Sequence, residues 1–119
     1  MAWDTVPEKF SHRKLYKHNA SITLMRTNTQ ECAELGRRLA TRISDGSGPR
    51  YVIVPLRGVS LIAVKDGPFY DPVSDAALVS ALKANVSSEV TVREVDTDIN
   101  DPIFAQALVD ALLEAISIQ

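Results

Sequence analysis

The run Tyr51-Val52-Ile53-Val54-Pro55-Leu56, followed at once by Arg57-Gly58, decides the fold. It is too short for a helix of ordinary length and rich in β-forming residues. The lack of polar residues at alternate positions marks a strand covered on both faces, as in a parallel sheet. Upstream, Asp45-Gly46-Ser47-Gly48-Pro49 is a strong turn signal. It ends a helix expected from about Gln30 to Ser44, with Cys32, Leu35, Leu39 and Ile43 on its apolar face and Glu31, Glu34, Arg37, Arg38 and Arg42 on the other. Asn28 or Thr29 supplies the cap. Before that, Ile22 to Met25 reads as a short strand, and residues 1–20 as an arm without a period whose Trp3, Phe10, Leu15 and Tyr16 must dock on something.

Downstream, Gly58 closes the strand, and an irregular stretch from Val59 to Pro72 follows. Loops of that length are functional or folded against another surface. A second helix is expected over Val73–Asn85, a third strand over Val90–Val95, and a last helix over Ile103–Ile116 carried by Phe104, Leu108, Leu112, Leu113 and Ile116. Strand and helix alternate three times. That order predicts an α/β domain over residues 21–119, three-layered and Rossmann-like or flavodoxin-like, with a short, mainly parallel sheet joined by right-handed crossovers. Three strands leave open edges, so association is expected, as a homodimer or with another chain.

The 119 residues, 45% hydrophobic and 24% charged, suffice for one core and not for two full domains. A net charge of −2 gives no general attraction to nucleic acid. No apolar stretch approaches the length of a membrane span, and Asp4, Pro7 and Glu8 interrupt the place of a signal-peptide core, so the expected location is the cytoplasm. Cys32 is the single cysteine, which rules out an intrachain disulfide and favours a small buried apolar residue over a nucleophile.

In open parallel sheets ligands gather beyond the carboxyl ends of the strands. Candidate groups there are Arg26 and Thr27, then Arg57, Gly58 and Ser60, then Phe69, Tyr70 and Asp71, then Asn100 and Asp101. Arg26 and Arg57 are of the type that grips a phosphate or carboxylate with two parallel hydrogen bonds. The competing reading, which we favour, pairs each arginine with a loop aspartate, Asp71 or Asp101. Asp96, Asp98 and Asp101 are oxygen donors suited to a hard cation, but Asn100-Asp101-Pro102 before a helix is also what a turn and cap use, and the cap is preferred. His12 and His18 lack metal-ligand spacing, and neither a phosphate-binding loop nor a dinucleotide fingerprint is present. No cofactor and no metal is implied.

Four segments together carry a resemblance. They are Thr23-Leu24-Met25-Arg26-Thr27 after His18-Asn19, Pro55-Leu56-Arg57-Gly58-Val59-Ser60, Gly67-Pro68-Phe69-Tyr70-Asp71-Pro72, and Ile99-Asn100-Asp101-Pro102 with Phe104-Ala105. In this order and spacing they resemble the C-terminal domain of the family that includes the tomato mosaic virus resistance protein. The resemblance implies longer proteins with an N-terminal ATP-binding α/β domain, which is not in this sequence, and a plant member that restrains viral RNA replication. The expected function is a non-catalytic assembly or small-anion-binding module. Its partner is another copy or a separately encoded N-terminal ATP-binding domain. The alternative is part of an enzyme, with Arg26, Arg57 and Ser60 holding a phosphorylated or carboxylated substrate and Asp71, Asp96 or Asp101 moving a proton or holding a divalent metal.

Overall fold

A computed structural model describes residues 1–118. Two short 3₁₀ turns, Trp3–Thr5 and Glu8–Phe10, lead into β1 (Leu15–Lys17) and β2 (Thr23–Met25). Then come α1 (Thr29–Ser44), β3 (Arg50–Pro55), α2 (Pro72–Asn85), β4 (Val90–Val95) and α3 (Pro102–Ile118). The α/β class stands. β3 and β4 pair in parallel, with Val52 opposite Val92 and Val54 opposite Glu94.

The first expected strand is not part of that sheet. β2 instead pairs antiparallel with β1, Tyr16 opposite Leu24, in a separate two-stranded hairpin. The turn between them explains why: the Asn19 side chain accepts from the amides of Ser21 and Ile22 at 2.8 and 2.9 Å, so the chain reverses before it can reach β3. The arm thus supplies the partner of β2. It also docks on its own chain, as Lys14 donates to the Tyr70 carbonyl at 2.7 Å and the Tyr16 ring meets Phe69 edge-on at 6.2 Å.

Side-chain alternation assigns the layers. Val52, Val54 and Val92 pack with Ala40 of α1 and Leu82, Val79 and Val86 at α2, which places both helices on one face of the β3–β4 pair. Tyr51 and Arg93 point to the other face, where Glu114 of α3 accepts from Arg93 at 2.6 and 2.8 Å. Helices therefore cover both sides of the pair.

α1 begins with a full capping box: the Asn28 side chain accepts from the Glu31 amide at 2.8 Å, and Glu31 returns to the Asn28 amide at 3.0 Å. Its buried residues are Cys32, Gly36 and Ala40, while Leu35 and Leu39 of the expected core face are 42% and 51% exposed. Gly36 explains the choice of face. A Cβ built there would stand 2.2 Å from the Leu78 carbonyl oxygen, so α1 and α2 approach along a stripe of small residues that leucines would hold apart. α2 begins with Asp71 as cap, its carboxylate accepting from the Ser74 amide at 3.1 Å and the Ser74 hydroxyl at 2.7 Å.

α3 departs furthest from expectation. Phe104 and Ala111 are buried, but Leu112, Leu113 and Ile116 are 60%, 60% and 57% exposed, and Leu108 and Val109 are exposed with them. The whole molecule is correspondingly extended. Its radius of gyration is 16.5 Å, against about 13.5 Å for a compact domain of this length.

Gly36→Ala tests the α1–α2 joint by its sign. In an open helix the change would stabilise by about 1 kcal/mol; against the Leu78 backbone it should destabilise by about 1–3 kcal/mol, read as a lower urea midpoint. Asp71→Ala should cost about 1 kcal/mol near neutral pH, as loss of a helix cap does. Hydrogen bonds from Ser74 hold the Asp71 carboxyl below its ordinary range, so its contribution is complete above an unfolded pKa of about 3.9 and is lost as pH falls through the folded value. Paired melts from pH 7 into the acid range should show parent and variant converging.

Candidate functional site

The sequence-selected residues separate into a buried joint and an open rim. Arg26, at the end of β2, is 8% exposed. Its Nε donates to the Phe69 carbonyl at 3.1 Å, its Nη1 to Thr27 Oγ1 at 3.3 Å, and its Nη2 to Asp75. Asp75, rather than Asp71 or Asp101, is therefore its ionic partner. Thr27 in turn touches the buried Cys32, Oγ1 to Sγ at 3.2 Å, and Phe69 fills the space above Tyr16. Arg26, Thr27, Phe69 and Asp71 stand together, but as interlocking parts whose polar atoms are already engaged.

Arg57 lies on the rim. Its partner is Asp96 at 2.7 and 2.8 Å, again neither of the aspartates expected, and both side chains are largely exposed. The guanidinium holds the Asp96 carboxyl below its usual range. Gly58 continues the ladder past the strand ends, its carbonyl accepting from the Ile99 amide at 3.0 Å while it bridges Val64 on its other side. A Cβ at Gly58 would fall 2.8 Å from the Ala63 carbonyl oxygen, so the close approach needs glycine. Ser60 accepts from the Ala63 amide at 3.2 Å, and Asp101 accepts from the Ile103 amide at 2.8 Å as the start of α3. Asn100 donates its amide to Asp98 Oδ1 at 2.9 Å. Among the described residues, no three His, Cys, Asp or Glu side chains come together to hold a metal ion.

Between the carboxyl end of β3 and the outer side of α2 lies a cleft of about 770 Å³, within the roughly 300–1,000 Å³ of small-molecule sites. Arg57 and Tyr70 are the two sequence-selected residues that line it, with Leu56, Val59, Val79 and Asp75 around them. Lys65, Ser80, Lys83 and Glu94 also line it and were not singled out from sequence. Lys65 sits in the long loop, whose length was the one signal pointing to it. Ser80, Lys83 and Glu94 read as solvated faces of a helix and a strand, and only the crossing of α2 over the strand ends makes them neighbours.

No helix among the described residues is long and apolar enough to cross a membrane. Residues 1–116 match the family described as uncharacterised protein family (UPF0261) C-terminal domain. A UPF0261 protein of Rhizobium meliloti is 44% identical over 110 residues, which are 91% of this chain and 28% of that protein. A UPF0261 protein of Clostridium tetani is 39% identical over 111 residues, with 92% and 28% covered. The tomato (Solanum lycopersicum) protein named ToMV resistance protein Tm-1(GCR237) is 33% identical over 112 residues, 92% of this chain and 15% of its own length. The chain thus spans little more than a quarter of the bacterial relatives and shares their C-terminal-domain signature. By that match over nearly its whole length, the chain belongs to the UPF0261 family, as a C-terminal-domain sequence related to the tomato Tm-1 proteins.

Proposed function

We propose that this chain is a non-catalytic assembly module, and that the apolar face of α3 docks on a companion polypeptide equivalent to the part of the longer UPF0261 proteins outside the matched segment. The observation that carries this is the stripe Leu108, Val109, Leu112, Leu113 and Ile116, exposed along one side of a helix whose other side, through Phe104 and Ala111, holds the sheet. A helix apolar on two sides is a helix meant for burial on both. The accessible surface of 7805 Å² exceeds the roughly 6,300 Å² of a compact monomer of this mass. The excess is larger than the roughly 800 Å² that one partner contributes to a standard interface. The relatives, more than three times as long, contain the matched segment beside chain that could cover it, which favours a companion over a second copy.

The enzymatic alternative has weaker support. Asp71 caps α2 and Asp96 is held by Arg57, and both carboxyls are shifted down, away from the range of a neutral-pH general acid or base. Arg26 is committed to Asp75.

The test is complementation. The portion of the Rhizobium meliloti relative outside the matched segment is produced separately and mixed with this chain, and mass is read by light scattering after gel filtration. A one-to-one complex is expected, and Leu112→Glu with Ile116→Glu should abolish it while leaving the circular dichroism of the free chain unchanged. A homodimer broken by the same double variant, or a monomer indifferent to the added portion, would overturn the reading.

A further inference from the structure

We propose that the cleft at the end of β3 binds a small polyhydroxylated organic anion, its charged group met by Lys65 and its hydroxyls by Asp75 and Ser80. The position is that of ligand sites in parallel sheets, outside the strand carboxyl ends. What singles out this chemistry is which polar groups remain uncommitted. Arg57 is taken by Asp96 and Lys83 by Glu94 at 2.7 Å, so both of those cations are already neutralised. Lys65 makes no ion pair among the described residues, and it sets the sign of the cleft.

Asp75 supplies the second element. Arg26 holds its Oδ1, while Oδ2 accepts no hydrogen bond among the described residues, and the side chain is 18% exposed. A carboxylate that lines the cleft with one oxygen clamped by a guanidinium and the other uncommitted is a fixed acceptor for a hydroxyl. The Ser80 hydroxyl, also without a partner among the described residues, adds a donor and an acceptor on the same helix, while Leu56, Val59 and Val79 give the carbon skeleton an apolar wall.

These groups discriminate. A neutral polyol leaves Lys65 without a counter-charge. A bare inorganic anion has no hydroxylated carbon skeleton to lie on the apolar wall and reach Asp75 and Ser80 together. Only a ligand with an anionic end and hydroxyls along its length satisfies all three.

Calorimetric titration of the full chain with glycerol 3-phosphate, glycerate, glycerol and inorganic phosphate tests this. Saturable one-to-one binding is expected for one of the two hydroxylated anions, which also identifies phosphate or carboxylate as the preferred charge. Lys65→Ala should weaken it at least about tenfold and Ser80→Ala by less, with ligand-free melting unchanged because both side chains are exposed. Lys9→Ala, which removes the cation above Phe10 in the arm, should change nothing. The proposal is overturned if neither hydroxylated anion binds, if glycerol or phosphate alone binds as tightly, or if Lys65→Ala behaves like Lys9→Ala.

Discussion

A guanidinium withdrawn from water costs several kcal/mol unless its donors are satisfied, and the Arg26 side chain meets that requirement with partners drawn from separate parts of the chain. Phe69 from the end of the long loop, Thr27 before α1 and Asp75 on α2 each take one of its three nitrogens. Its own carbonyl accepts from Arg13 of the arm at 2.8 Å. One residue therefore holds the hairpin, the loop and the two packed helices in a single arrangement. Lysine, with one nitrogen at the end of a flexible stem, could not reach this set of acceptors at once. Asp71 follows Phe69 by two residues, so fixing the Phe69 carbonyl also places the carboxylate that starts α2. The segments that look most like catalytic motifs are, to this extent, the pieces of a joint.

The strand and helix positions were readable because they depend on local chemistry. The Tyr51–Leu56 run, the glycine-proline turn before it and the acid-proline pairs before α2 and α3 act over a few residues, and the elements fall within a residue or two of their expected bounds. The β1–β2 hairpin was hidden because β1 is only three residues long, and its pairing depends on an asparagine turn rather than on periodicity. The arginines illustrate a different limit. That each would pair with an aspartate follows from charge; which aspartate depends on tertiary placement, since α2 brings Asp75 to Arg26 and the parallel register of β3 and β4 brings Asp96 beside Arg57.

The burial of the helices was misjudged for one reason in both α1 and α3. Periodicity identifies apolar residues that share a face, not the face that the present chain covers. In α1 the contact goes to Cys32, Gly36 and Ala40 because close approach to Leu78 outweighs the larger area of Leu35 and Leu39. In α3 the buried positions are Phe104 and Ala111, and the leucine stripe is left outward. Both exposed stripes are surfaces that the companion proposed above would cover.

Energetics constrain what the companion proposed above would have to cover. Burying five side chains of the α3 stripe is worth on the order of 5–10 kcal/mol gross, which only matches the roughly 4–15 kcal/mol that association itself costs. A partner that touched α3 alone would bind weakly. The remaining free energy has to come from surfaces that are open at the same time: the outer backbone edges of β3 and β4, which have no strand neighbours among the described residues, and the Leu35–Leu39 stripe of α1. α3 and α1 lie on opposite faces of the β3–β4 pair, so a partner reaching both must pass around a sheet edge and can extend the sheet as it does so. The cleft lies on the α2 side, across the strands from the α3 stripe, and docking at α3 leaves its mouth open. Any coupling between ligand and partner would therefore run through the β3–β4 strands that separate them.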